Sequence, residues 1–186
     1  MVLFFDKTLR ADLQTFSFSQ EESKHLTKVL RKKVGDPICL TNGMGLEWQG
    51  ELIQIGSRAA RAKRVKAFFH TPPAKQIHLV IAPTKNNNRM EWLIEKLTEL
   101  GVTSITPLIC AHSERKITKA LRFEKIAIAA LKQSQQFFLP QIHPLIPFSE
   151  YIKENPESSY IAHCGSSPKQ TLATFDLNKD SVTLLI

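Results

Sequence analysis

The spacing of hydrophobic positions changes near residue 70. Before that point apolar residues fall in short alternating runs at 2–5, 38–40, 46–55 and 60–69, with turn signals at Gly35-Asp36 and Asn42-Gly43, the pattern of short β-strands. One stretch departs from it. Ser19 with Glu22 three residues later fits a capping box, and Leu26, Val29 and Leu30 form the apolar face of a helix expected to end near Lys32. Short strands around one helix predict a small β-barrel over 1–71. The run His70-Thr71-Pro72-Pro73-Ala74 reads as a linker, because two prolines disfavour helix. From residue 72 onward the pattern predicts strands at 76–82, 104–110, 159–163 and 182–186. Helices are expected at 89–100, 120–136 and 149–154, with an extended piece at 141–146. Such alternation implies an α/β domain with a mostly parallel sheet.

The unit at 76–115 is the best specified. Met90, Leu93, Ile94, Leu97 and Leu100 form a helical stripe, Asn88 with Glu91 offers an amino-terminal cap, and Gly101 a left-handed stop. Glu91, Glu95 and Glu99 read as a solvated face. Lys85 and Arg89 precede or open this helix, at the carboxyl end of a strand. Ligands of open α/β sheets bind at that edge, and a helix amino-terminus there attracts anions. The loop Ala111–Lys116 follows the next strand at the same edge. His112 within it suggests a general base, but no Asp is placed by sequence to orient it.

The 186 residues, 42% of them apolar, are enough for two real cores. The 25 Lys and Arg against 17 Asp and Glu leave a formal charge of +8, which favours a polyanionic partner. Two basic clusters stand out: Lys24, Lys28, Arg31 and Lys32 at helical spacing, and Arg58, Arg61, Lys63, Arg64 and Lys66 on or beside a strand. No aromatic stacking platform is evident among them, so contacts to a nucleic-acid backbone are expected. The three cysteines lack CxxC or Cys/His pairing, which argues against a disulfide framework or a metal site and for a reducing cytoplasm. No apolar run approaches membrane-spanning length. Glycine-rich nucleotide loops and the GxSxG elbow are absent.

Taken in order, several short runs resemble the ribosomal RNA small-subunit methyltransferase E family over nearly the whole chain. They are His25-x-x-x-Val29-Leu30-Arg31 with Gly35, Lys85-x-x-x-Arg89-Met90-Glu91, Glu95-Lys96-x-x-Glu99-Leu100-Gly101-Val102, Ile105-Thr106-Pro107-Leu108, Ser113-Glu114-Arg115 and Lys125–Ala130. The resemblance implies a PUA-like β-barrel before a Rossmann-like α/β domain of the SPOUT class, a homodimer, and transfer of a methyl group from S-adenosyl-L-methionine to uridine N3 of 16S rRNA. It further implies that His25 and Arg31 sit in the RNA-facing barrel; together with the basic clusters, the candidate RNA contacts are Lys24, His25, Lys28, Arg31, Arg61, Lys63, Arg64, Ser113 and Arg115. By the same likeness Lys85, Arg89, Ser113, Glu114 and Gln133 would border the active cleft, and Ala162, His163 and Cys164, at the end of the preceding strand, could provide one wall of the cofactor pocket.

Two departures qualify this. After Ala130 the run Leu131-Lys132-Gln133-Ser134 keeps only the Gln of the family's Glu-Gln, and Leu184-Leu185-Ile186 closes the sequence where the family continues into a GPEGG loop and an Arg-containing knot. The expectation is therefore an incomplete domain, binding cofactor poorly and inactive on its own. The main alternative is a non-catalytic RNA-binding protein of ribosome assembly. A weaker one is a nucleotide-binding α/β protein with Lys85 and Arg89 on a free phosphate.

Overall fold

The computed structural model describes residues 2–114, 117, 119–154, 159–162, 165–166 and 180–186. They fold as two compact units, Met1–Pro72 with Leu131–Phe138, and Pro73–Ala130 with Leu139–Ile186.

The first unit contains β1 (Leu3–Phe5), β2 (Thr15–Ser17), α1 (Gln20–Lys24), β3 (Pro37–Thr41), β4 (Leu46–Gln54) and β5 (Arg61–Phe69). The sheet order is β1-β3-β4-β5-β2. β1 runs parallel to β3 and every other pairing is antiparallel. The two edge strands meet through rings: Phe4 of β1 and Phe18 just beyond β2 lie 5.1 Å apart edge to face, and Phe16 and Phe18 5.0 Å apart. Aromatic packing thus draws the sheet's edges round a core that includes Leu26, Ile38, Leu40, Trp48 and Leu52. The Trp48 indole N–H donates to the Leu13 carbonyl at 2.9 Å. β2 escapes sequence analysis because three residues with one buried phenylalanine carry too little alternation.

The helix of this unit starts as expected, with Ser19 Oγ accepting from the Glu22 N–H at 3.2 Å. It does not continue as an α-helix to Lys32. Residues His25–Val29 form a π-helical turn, closed by the Leu30 N–H on the His25 carbonyl at 3.0 Å, and Arg31 turns left-handed at φ 50°. A wider turn rotates later side chains away from 3.6-residue periodicity. Val29, expected on the buried face, is 65% exposed as a result.

β4 and β5 slip register between Gln49 and Gly50: Gln49 faces Lys66, Gly50 faces Arg64, and Val65 is the extra residue. Such a bulge exchanges the faces of all that follows. Arg61 and Lys63 before it, and Lys66 and Phe68 after it, therefore share the outward face, while Ala62 and Ala67 pack against the core. A Cβ on Gly50 would stand 2.3 Å from the Trp48 ring and 2.8 Å from the Lys63 carbonyl oxygen.

The second unit contains β6 (Gln76–Ile81), α2 (Asn87–Glu99), β7 (Ser104–Ile109), most of α3 (Ala120–Ser134, which passes into the first unit at Leu131), β8 (Gln141–Ile142), β9 (Ile146–Pro147), α4 (Phe148–Glu154), β10 (Ser159–Ile161) and β11 (Ser181–Leu185). Its sheet, ordered β10-β11-β6-β7-β8 with β9 beyond β8 on β7, is parallel at every pairing. Leu79, Ile81 and Ile105 pack on Met90 and Ile94 of α2 and Phe123 and Ala127 of α3. Val80, Leu108 and Leu185, on the other face, pack on Tyr151 of α4.

Three expectations about α2 change. Its cap is Asn86, whose side chain accepts from the Asn88 N–H at 2.9 Å, so the helix begins two residues earlier than read. Leu100 is 78% exposed rather than buried, because it follows the last turn and Gly101, at φ 77°, reverses the chain. Nor is the acidic face merely solvated: Glu91 accepts from Nε and Nη2 of the Arg122 guanidinium, and Lys96 reaches Glu95 and Glu99 at 2.9 Å. The hydrogen bond from Arg122 holds the Glu91 carboxyl below its ordinary range. Among the described residues no helix is long and apolar enough to cross a membrane.

Candidate functional site

Parallel strands leave all their carboxyl ends on one edge, and the connection after each strand is built there. At that edge the Ala82 N–H donates to the Ile186 carbonyl at 3.1 Å, the Ile186 N–H to Val80 at 2.9 Å and the Ala162 N–H to Leu185 at 2.9 Å. The ends of β6, β11 and β10 therefore lie side by side. β7 adds a tight turn on the other flank, where Ser113 Oγ accepts the Cys110 N–H at 2.9 Å and the Ser113 N–H returns to the Cys110 carbonyl at 3.0 Å. That turn directs Glu114 at the loop after β6, and its Oε2 lies 3.1 Å from Lys85 Nζ.

Between the two loops lies an open concavity of about 350 Å³, lined by Ala82, Pro83, Lys85, Cys110, His112 and Glu114. Its volume is at the small end for ligand sites, enough for one nucleoside-sized group. Lys85 and Glu114 are largely exposed, so their attraction is modest in water and either can exchange its partner for a ligand. Thr84 and Asn86 hold the Lys85 loop: Thr84 Oγ1 donates to the Asn86 carbonyl at 3.0 Å and Asn86 caps α2.

The structure brings Lys85, Ser113 and Glu114 together, with Arg89 exposed on the first turn of α2. Ala162 stands at the same edge through its bond to Leu185. Gln133 is exposed near the end of α3, in the stretch that belongs to the first unit. Arg115, His163 and Cys164 lie outside the described residues. Sequence reading missed Pro83 and Cys110 as lining groups, although Pro83 immediately follows one predicted strand and Cys110 ends the next.

In the first unit, Lys24, His25, Lys28 and Arg31 are all exposed on and after the helix. On β5, Arg61 and Lys63 point outward, whereas Arg64 turns to the core side and its guanidinium donates to the Ala11 carbonyl. Bulge and burial together make Arg64 a brace for the 9–14 segment, whose Gln14 carbonyl also accepts the Arg64 N–H at 2.9 Å.

Residues 71–186 match the RNA methyltransferase domain family, and residues 18–63 match the RNA methyltransferase PUA domain. The chain belongs to the RNA methyltransferase family. Within it, the relatives are the ribosomal RNA small-subunit methyltransferase E proteins. One of these, from Buchnera aphidicola, is 31% identical over 173 residues, covering 87% of this chain and 66% of its own length. The chain spans about 59–66% of the length of such curated relatives. A Porphyromonas gingivalis protein described as a probable rRNA-methyltransferase superposes with TM-score 0.85 at 28% identity, covering all of this chain and 79% of its own. The ribosomal RNA small subunit methyltransferase E of Neisseria gonorrhoeae, solved bound to S-adenosyl methionine, shares the fold with TM-score 0.84 at 24% identity, covering all of this chain and 78% of its own. The PUA-domain match spans the helix and the basic strand β5 through Lys63, and the match to the RNA methyltransferase domain family spans the Lys85–Glu114 edge.

Proposed function

We propose that this chain serves an S-adenosyl-L-methionine-dependent methyltransferase acting on uridine N3 of 16S rRNA. Residues 1–71 would hold RNA and residues 72–186 would carry out methyl transfer, in a cytoplasmic homodimer. The observation that carries the reading is the meeting of Lys85 and Glu114, 3.1 Å apart, over the joined ends of β6 and β11.

A uridine N3 becomes nucleophilic when its imide proton passes to solvent, which reaches the open concavity, and negative charge then spreads to the two flanking carbonyl oxygens. A preorganised cation beside those oxygens stabilises the charge as it develops. Lys85, which lines the concavity, is the cation we assign to this role. Glu114 positions its ammonium, and the Cys110–Ser113 turn holds Glu114 in place. Arg89, at the first turn of α2, supports the nucleotide's phosphate, whose negative charge offsets the repulsion between the guanidinium and the helix amino-terminus. The cofactor supplies an electrophilic methyl group. The uncharged backbone at the ends of β10 and β11, with Ala162, would line an uncharged part of it. The neighbouring His163 and Cys164 are proposed for the same wall, and Gln133 and Arg115 for contacts to RNA or the cleft.

The test is incubation with labelled S-adenosyl-L-methionine and unmodified 30S subunits, followed by digestion and mass spectrometry of the nucleosides. N3-methyluridine is expected, and Lys85→Ala should cut its rate at least about tenfold, equivalent to about 1.4 kcal/mol of transition-state stabilisation. Its melting temperature should not change, since an exposed ion pair adds little stability. Binding to 30S subunits without any methylated nucleoside would favour the non-catalytic RNA-binding reading.

A further inference from the structure

The bulge at Val65 places a phenyl ring among cations. Lys66 and Phe68 follow it on the face that also carries Arg61 and Lys63, and Lys66 Nζ stands 5.6 Å from the Phe68 ring centroid. Phe68 is 40% exposed. Its ring is braced from one side by His70, 5.2 Å away and tilted by 54°. His70 in turn stacks on Phe137 at 4.2 Å and holds Glu47 Oε2 at 2.7 Å. Phe68 is therefore a braced, partly exposed ring with the ammonium of the exposed Lys66 side chain over it, and the carboxylate opposite it across the strand pair, Glu47, is already engaged by His70.

We propose that Phe68 is a stacking platform for an unpaired RNA base, with Lys66, Lys63 and Arg61 holding the phosphates that follow along β5. This rests on the reading of the first unit as an RNA-binding domain. An aromatic ring that protrudes from a basic strand fits a splayed-out base, whereas bases within an A-form duplex are stacked on their neighbours and present only their edges. A protein partner fits less well, because the ring's surroundings on β5 are cations. Phe69, though 64% exposed, pairs with Leu46 on the other side of the strand. It serves as the internal comparison.

The experiment measures fluorescence anisotropy of an unstructured single-stranded oligoribonucleotide and of a blunt RNA duplex over a series of salt concentrations. Phe68→Leu keeps the bulk of the side chain but removes the π face, and Phe68→Tyr keeps both. Phe68→Leu should weaken single-strand binding about fivefold or more, with an unchanged salt slope and unchanged duplex affinity. Phe68→Tyr and Phe69→Leu should bind as wild type. Lys63→Glu should weaken both RNAs and lower the salt slope by about one. If Lys63→Glu has its effect while Phe68→Leu matches wild type, the platform is wrong and the RNA-binding reading stands. If neither variant changes binding, both fail. Equal losses on single strand and duplex, or loss in Phe68→Tyr, would mark Phe68 as structural and overturn the platform. Circular-dichroism melting of each variant separates unfolding from lost stacking.

Discussion

Replacing Gly50 by Ala tests the feature on which the outward face of β5 depends. The added Cβ would lie 2.3 Å and 2.6 Å from two carbons of the Trp48 ring and 2.8 Å from the Lys63 carbonyl oxygen. Carbon atoms rest at about 3.5–4.0 Å, so something must move by more than about 1 Å. Trp48 cannot yield cheaply, being fully buried and anchored through its indole N–H to Leu13. The Lys63 carbonyl belongs to the strand paired with β4. Overpacking a rigid site costs about 1–3 kcal/mol, and two rigid obstacles argue for the upper end, about 3 kcal/mol. That is a large part of the 5–15 kcal/mol typical of a domain and corresponds to a melting shift of about 12–24 °C. Trp48 is itself the probe, since the other tryptophan, Trp92, is exposed and can be replaced by Phe. Urea unfolding followed by the emission of Trp48 should show the midpoint fall. Gly56→Ala is the control, because its nearest neighbour, the Ala59 carbonyl oxygen, is 3.4 Å away and can give slightly. A Gly50→Ala midpoint no lower than that of Gly56→Ala would refute the reasoning.

Three further outcomes are expected. Asn86→Ala should destabilise the second unit by about 1 kcal/mol through loss of the α2 cap, whereas Asn88→Ala should stay within about 0.5 kcal/mol; equal costs in thermal melts would restore Asn88 as the cap. Burial, and then the neighbouring His143, lower the His78 pKa from its ordinary 6.5, while its Nδ1 meets Ser104 Oγ at 2.6 Å. The neutral ring is thus favoured in the folded state, so its contribution to stability is whole above pH 6.5 and is lost as pH falls through the lowered value; a His78→Gln variant should show a smaller fall between pH 8 and pH 5 in urea titrations, and an identical fall would exclude His78. Burial and then the Glu47 carboxylate push the Cys39 thiol up to about 12, so iodoacetamide at pH 8 should label Cys110 in the native protein and leave Cys39 intact until denaturant is added, as peptide mass mapping will report.

Local pattern carried the architecture. The change of period near residue 70, the stripe Met90-Leu93-Ile94-Leu97 and the Gly101 stop are short-range signals, and the strands and helices they predict form in the folded chain. Lys85, Ser113 and Glu114 were legible as neighbours for the same reason: parallel strands put successive loops on one edge, so the order of elements was enough. The π-turn that exposes Val29 was not legible, because one extra residue in a helical turn leaves no mark in composition. Nor was the return of Leu131–Phe138 to the first unit, where Phe137 stacks on His70 across a long stretch of sequence. The division of the basic strand is the clearest case. Strict alternation would put Val65, Ala67 and Phe69 beside Arg61 and Lys63, but the folded sheet puts Lys66 and Phe68 there and turns Arg64 inward to Ala11. Periodicity is a property of one strand, whereas register is set between two, here by a glycine lodged against a buried tryptophan. Which side chains share a face is therefore known only once the partner strand is in place.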